Sequence, residues 1–279
     1  MEKKTICVCG AGTMGAGIAQ VSAAAGFATI LFDVDPGMLD KARIRTGNDL
    51  QQLLNRSKIS EEKRNSTLSN ITYASEIRDC VAEVVIEAIV EKPEVKIELF
   101  SQLAAINSPA TIFASNTSSL SISSLAKNIA HPERVAGLHF FNPAPVMKLV
   151  EVVRADQTSQ AVMETLVDLT RRFGKTPVAC RDSPGFIVNR VARPYYIESL
   201  RLAEAGVAFE TIDRLLENAG FRMGPFRLMD LIGNDINYAV SCSVYEQLGR
   251  PERLMPSTIQ KTKVDNGELG KKTGKGYYS

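Results

Sequence analysis

The chain has two histidines, and one of them, His139, stands in the apolar run "GLHFF". Twelve residues on, an equally isolated carboxylate, Glu151, interrupts a second apolar run, "KLVEVV". An imidazole beside a carboxylate has its tautomer fixed and its protonated form favoured, which suits a base that must accept a hydroxyl proton. The connection "NPAPV" is short enough for the two runs to pair as neighbouring strands and bring His139 near Glu151. A lone strand histidine is more often a satisfied core residue, so the assignment leans on its partner and on the rest of the chain.

The second pattern with chemistry in it is "CVCGAGTMGAG", which spells Gly10-x-Gly12-x-x-Gly15. It follows a strand-like run and opens a helical one, and Asp33 follows 18 residues after Gly15, at the end of the next strand-like run. In that context the glycines make a dinucleotide fingerprint. Gly10 permits the tight turn, Gly12 lets backbone approach a pyrophosphate, and Gly15 allows close helix–sheet contact. Thr13 and Met14 lie between them at the helix start, whose N–H groups face the anion. Asp33 would accept hydrogen bonds from the adenosine ribose hydroxyls and repel a 2′-phosphate, so NAD is favoured over NADP. The alternative is a glycine turn that binds nothing.

These residues need elements to hold them. Strand-like runs occur at "TICVC", "ATILFD", "NITYA", "VVIEAIV", "ATIFAS", "RVAGLHFF", "MKLVEVV" and "TPVACRD". Helical runs lie between several of them, among them "TMGAGIAQVSAAAG", "EVKIELFSQLAAI" and "QAVMETLVDLTRRFG". Strands alternating with helices predict a parallel sheet covered on both faces. Residues from Met38 to about Arg64 are amphipathic and polar, and predict a long helix or a helical arm outside the sheet. After Pro184 the strand signals stop, and "GFIVNRVARPYYIESLRLAEAG", "FETIDRLLENAG" and "NDINYAVSCSVYEQLG" carry helical periodicity. The expected organisation is an α/β domain over 1–183, with the arm at about 38–64, and a helical domain over 184–279.

Composition narrows the function classes. A chain of 279 residues, 44% hydrophobic and 23% charged, reads as an ordinary globular protein, and a formal net charge of +2 with no dense Lys/Arg block gives no reason to propose nucleic acid. No run of about 18 apolar residues predicts a membrane span, and "MEKKTICVCGAG" does not read as a signal peptide. The cysteines, Cys7, Cys9, Cys80, Cys180 and Cys242, are odd in number and form no C-x-x-C pair. They are expected to be reduced thiols in a cytoplasmic protein, with Cys7 and Cys9 on one sheet face and no metal.

Taken together, "GAGTMGAGIAQ", "VIEAIVEKPEVKIELF", "SNTSSL", "GLHFFNPAPVMKLVEVV", "DSPGFIVNR", "MGPFRLMDLIG" and the terminal "GKKTGKGYY" resemble the short-chain L-3-hydroxyacyl-CoA dehydrogenases, the bacterial 3-hydroxybutyryl-CoA branch in particular. The resemblance covers essentially the whole chain. It implies a Rossmann-type N-terminal domain, an all-α C-terminal dimerisation domain, NAD as cofactor and an acyl-CoA substrate. By the same resemblance His139 is the general base and Glu151 its orienting partner. Ser118 in "SNTSS" matches the serine that hydrogen-bonds substrate near the nicotinamide, and Asn189 in "GFIVNR" the asparagine that holds the substrate oxygen. Glu91, Lys96, Asn142 and Lys272 match positions that line the NAD site. Singly, each has a plainer reading: a helix cap, a core amide or surface charges.

The arm departs from the family. Asp49 stands where the family carries a serine that contacts coenzyme A, and Arg56 stands near the position of its lysine. A carboxylate there disfavours a phosphate-bearing ligand, although Arg45, Arg56 and Lys58 supply cations, and Arg56 and Lys58 are the expected coenzyme A contacts. Arg227 replaces a usually acidic residue. Two rival functions stay open at this point: a dehydrogenase of a free hydroxy or sugar acid with the same His–Glu pair, and a non-catalytic NAD-binding protein.

Overall fold

The computed structural model describes residues 4–278. The chain divides into two compact units, residues 1–182 and 183–279.

The first unit runs β1 (Thr5–Cys9), α1 (Thr13–Ala24), β2 (Ala28–Phe32), α2 (Pro36–Asn55), α3 (Glu61–Ser69), β3 (Ile71–Ala74), β4 (Val84–Glu87), α4 (Pro93–Ile106), β5 (Ile112–Ser115), α5 (Ile122–Ala126), β6 (Val135–Phe140), β7 (Leu149–Arg154), α6 (Gln160–Arg172) and β8 (Thr176–Arg181). All eight strands join one sheet in the order β3-β2-β1-β4-β5-β6-β7-β8. From β3 to β6 neighbours are parallel, β7 is antiparallel to β6, and β8 is parallel to β7. The strand order reverses at β1, which lies between β2 and β4, and ligands of such sheets bind at the carboxyl ends beside that reversal. The central strands are β-branched and buried on both faces because helices cover both. Ile6, Val8, Leu31, Ile86, Leu138 and Val152 join Ile18 of α1 and Leu166 of α6 in one core. Pro177, which cannot donate to a ladder, is tolerated because β8 is the sheet's edge.

The arm is two helices rather than one. Helix α2 starts two residues earlier than expected, because Pro36 occupies its first turn and the Asp35 side chain accepts from Gly37 N at 2.8 Å. It ends where Ser57 takes a left-handed φ of 53°, and Ser60 then caps α3 by accepting from Lys63 N at 3.1 Å. Helix α3 returns to α1, where the Lys63 ammonium donates to Ala24 O and Asn70 Nδ2 to Ala23 O. The segment is therefore anchored at its far end to the domain it leaves.

The second unit contains α7 (Val188–Glu204), α8 (Phe209–Asn218), α9 (Pro225–Ile232), α10 (Asn234–Gln247) and α11 (Thr258–Asp265). Tyr196, Leu200, Ile212, Phe226, Met229 and Tyr277 form its core. Phe209, Phe226 and Tyr277 meet ring to ring, with centroids 4.6 to 5.1 Å apart. Asp230 holds the chain end, accepting from Tyr277 N and Tyr278 N, each at 2.9 Å.

Candidate active site

His139 and Glu151 lie directly opposite each other in the antiparallel β6–β7 ladder. Opposed residues share a sheet face, and His139 Nδ1 is 2.7 Å from Glu151 Oε2. The imidazole is 6% exposed and the carboxylate fully buried, so little water competes for the bond. The strands approach closely here: a Cβ on Gly137 would lie 2.7 Å from Val153 Cβ. The Phe141 ring packs 4.5 Å from the imidazole. On the neighbouring strand β8, burial together with the charges of Glu151 and Asp182 pushes the Cys180 thiol up to about 12.

The segments flanking the pair are tied down. Phe140 N donates to Asn116 Oδ1 at 2.8 Å, joining the end of β6 to the loop after β5. Beyond β6, Asn142 is exposed. The rest of that connection is pinned by Lys175, whose Nζ donates to Ala144 O at 2.6 Å, Pro145 O at 3.1 Å and Met147 O at 2.7 Å.

At the sheet reversal, the glycine turn is closed on its protein side and open on the other. Gly10 has φ +101° and abuts the backbone of Ala88, and a Cβ on Gly15 would lie 1.7 Å from Gly10 O. A Cβ on Gly12 would meet nothing within 4 Å. No side chain caps α1, so its first N–H groups face that open side. Asp33 braces the turn, accepting from Ala11 N at 2.7 Å through Oδ2 and from Asp35 N at 3.0 Å through Oδ1. Thr13 is exposed and its hydroxyl accepts from Arg45 Nη1 at 3.0 Å, while Met14 packs against the core.

A second buried acid was not singled out in the sequence. Glu87 ends β4, fully buried, and binds Lys96 Nζ at 2.6 Å, Ser115 Oγ at 2.6 Å and Ile89 N at 2.7 Å. Lys96, 1% exposed, is thus no surface charge, and it also reaches Glu91 Oε2 at 3.1 Å. Glu91 Oε1 in turn accepts from Ser118 N at 3.1 Å, from Ser119 Oγ at 3.2 Å and from the Thr117 hydroxyl. Burial raises the Glu91 pKa, but Lys96 and the bonds from Thr117 and Ser118 outweigh it and hold the carboxyl below its ordinary value. The signal in the sequence was the same as for Glu151: one acid inside an apolar strand, "VVIEAIV".

Along the arm, Lys41, Ile44, Arg45, Asn48, Asp49 and Gln52 line an open groove of about 470 Å³. Asp49 faces that groove, whereas Arg56 and Lys58 lie beyond it, exposed, where α2 ends. In the helical unit, Asn189 lies half-buried on the first turn of α7. Lys272 is held by Asp235, with its Nζ 2.6 Å from Oδ1. Arg227 lies against two acids, 2.8 Å from Glu217 Oε1 and 4.0 Å from Asp213 Oδ2. All five cysteines are unpaired, with Cys7 and Cys9 side by side at 3.8 Å between sulfurs. No helix among the described residues is long and apolar enough to cross a membrane.

A doubly wound sheet with a glycine cradle at its reversal defines a dinucleotide-binding protein. The comparisons with known proteins sharpen that class. Residues 5–183 match the family model "3-hydroxyacyl-CoA dehydrogenase, NAD binding domain", and residues 185–279 match "3-hydroxyacyl-CoA dehydrogenase, C-terminal domain". The chain therefore belongs to the 3-hydroxyacyl-CoA dehydrogenase family, and its first unit is that family's NAD-binding domain. A 3-hydroxyadipyl-CoA dehydrogenase of Escherichia coli K12 is 49% identical over 99% of this chain, which spans 58% of that relative's length. A crystal structure of 3-hydroxybutyryl-CoA dehydrogenase from the same organism has TM-score 0.96 and 48% identity, covering 100% of this chain and 60% of the other. The (S)-3-hydroxybutyryl-CoA dehydrogenase of Ralstonia eutropha has TM-score 0.94 and 35% identity, with 99% of each chain covered. The open face at Gly12, beside an uncapped helix start, fits the pyrophosphate of NAD.

Proposed function

We propose that the chain catalyses the NAD-dependent oxidation of (S)-3-hydroxyacyl-CoA to 3-oxoacyl-CoA and the reverse reduction, with (S)-3-hydroxybutyryl-CoA the simplest substrate. The observation that carries this reading is the buried 2.7 Å contact between His139 Nδ1 and Glu151 Oε2. A carboxylate can only accept, so Nδ1 carries the ring proton toward Glu151 and Nε2 is the basic nitrogen. Nε2 then takes the proton of the 3-hydroxyl, and Glu151 balances the charge that forms on the ring. Bound NAD accepts the hydride from C3. In reduction, the protonated imidazole returns its proton to the oxygen developing at C3. General acid–base assistance of this kind is worth about 10²–10⁴-fold.

Gly10, Gly12, Thr13, Met14 and Gly15 would hold the pyrophosphate, and Asp33 the adenosine ribose. Ser118 and Asn189 would hold the substrate oxygen, with Ser118 fixed through its backbone bond to Glu91. Lys96 acts on that position through Glu91 rather than by touching the cofactor. Asn142 and Lys272 would complete the cofactor's surroundings, and Arg56 and Lys58 would meet the phosphates of coenzyme A. Apolar side chains left open on the helical unit, Val191, Leu215, Phe221, Leu231 and Ile236, each at least half exposed, support a homodimer; light scattering should return one. A cytoplasmic site of action accords with the unpaired thiols.

The test is NADH oxidation with acetoacetyl-CoA. The native protein should turn over, and His139→Gln should lower kcat at least about 100-fold while binding NADH as before. Turnover within a few-fold of native would place the base elsewhere.

A further inference from the structure

Arg193 lies on α7 and is 2% exposed. Its Nε donates to Asn189 O at 3.1 Å, and its Nη1 donates to Asn237 O at 3.1 Å and to Ser241 Oγ at 2.8 Å. The Tyr196 ring centroid is 4.9 Å from its Cζ. All of these partners are neutral. Lys96, which is buried as deeply, has Glu87 and Glu91, whereas no carboxylate among the described residues pairs with Arg193. Burial pushes its guanidinium down to about 10.

The Nε bond stays within α7 and the two Nη1 bonds tie α7 to α10, a structural task complete without Nη2. Nη2 has no acceptor among the described residues and is not sealed inside the protein, so it can meet water or a ligand. A guanidinium held by neutral acceptors through Nε and Nη1 keeps its charge and its remaining donors for an anion.

We propose that Arg193 receives the terminal carboxylate of the substrate's acyl chain, so that this enzyme prefers coenzyme A thioesters of 3-hydroxy dicarboxylic acids to those of monocarboxylic acids. The proposal rests on the reading of Asn189 as a residue that holds the substrate oxygen. Residues four apart share a helix face, and the helix rises about 6 Å between Asn189 and Arg193. In a six-carbon dicarboxylic chain two methylenes separate C3 from the terminal carboxyl carbon, which spans a comparable distance. Nη2 would donate to one carboxylate oxygen while the whole guanidinium supplies the countercharge. A chain ending in methyl leaves that donor unmet and lacks the charge interaction. A site built to hydrogen-bond a polar group disfavours the analogue lacking it, here by about ten- to a hundredfold.

The experiment compares adipyl-CoA with hexanoyl-CoA, equal in length and different only at the chain end, as competitive inhibitors of acetoacetyl-CoA reduction by the native enzyme. Adipyl-CoA should inhibit with a Ki at least tenfold lower. Arg193→Met should bring the two Ki values within threefold of each other, and Arg193→Lys, which keeps the charge, should restore part of the difference. Equal Ki values on the native enzyme, or a preference that survives in Arg193→Met, would overturn the proposal. Should Arg193→Met fail to fold, the native comparison and Arg193→Lys decide it. An enzyme with no turnover of acetoacetyl-CoA would defeat the functional reading instead, and calorimetric binding of the two thioesters to it would still test Arg193.

Discussion

Two glycines three residues apart should separate cofactor binding from folding. A methyl group on Gly15 would sit 1.7 Å from Gly10 O, a backbone atom that no rotamer change can clear. The start of α1 must then move off the turn by more than an ångström, and overpacking of this kind costs roughly 1–3 kcal/mol. A melting temperature lowered by roughly 2–12 °C follows for a chain of this size. Gly12 has φ −65° and ψ −173°, which alanine adopts freely, and its added methyl would meet nothing within 4 Å. The remaining penalty is the poorer helix cap, at most about 1 kcal/mol. The methyl would, however, stand on the open side of the turn, where the pyrophosphate must approach the backbone. Loss of one hydrogen bond to a charged group is worth about 1.5–3 kcal/mol, or roughly ten- to a hundredfold in affinity. Gly12→Ala should therefore melt within about 3 °C of native and bind NADH roughly ten- to a hundredfold more weakly. Gly15→Ala should lose stability first. Thermal melts and NADH fluorescence titration read both quantities on the same samples. Native NADH affinity in Gly12→Ala would refute the cradle, and a native melt in Gly15→Ala would refute the packing argument.

Glu151→Gln should lower kcat about ten- to a hundredfold, since a charge-assisted bond is lost and the amide can donate to Nδ1, which moves the ring proton to Nε2; a kcat within twofold of native would remove Glu151 from the chemistry. Asp33 should make kcat/KM for NADH at least tenfold that for NADPH, and comparable values for the two cofactors would remove it from the ribose. Lys96→Met would leave Glu87 buried without its cation, so the melt should fall by roughly 10 °C, from about 3–5 kcal/mol for breaking a buried pair; an unchanged melt would show that the pair contributes nothing net.

The sheet was legible because its strands are short apolar runs bounded by turn residues: seven of the eight runs read from the sequence contain a strand whole, and "MKLVEVV" misses only Arg154, the last residue of β7. Boundaries drifted where tertiary contacts set them. The run "VVIEAIV" extends to residue 90, but β4 stops at Glu87, whose side chain is held by Lys96. The arm's break was invisible because it depends on Ser57 entering the left-handed region, which serine does not advertise. Helix α5 has five residues, and α9 and α11 have eight each, too few turns for periodicity to register. Lys175 reads as a surface lysine in "FGKTP", and its grip on three carbonyls of the β6–β7 connection exists only once β8 has docked beside β7.

The two buried acids show why sequence pattern alone could not rank them. Glu87 and Glu151 each interrupt an apolar strand, each is fully buried, and each meets one basic group at 2.6 to 2.7 Å. What separates them is the chemistry of the partner. The Lys96 ammonium is a single nitrogen already committed to Glu87 and Glu91, so the pair offers no second site from which a proton could be exchanged. Imidazole has two nitrogens across one conjugated ring, and Glu151 engages Nδ1. Fixing one nitrogen therefore leaves the other with a defined lone pair and a charge already balanced from behind. With the same burial and almost the same distance, the Lys96 pair can serve only as a clamp, whereas the His139 pair is the one that could serve the proposed acid–base step.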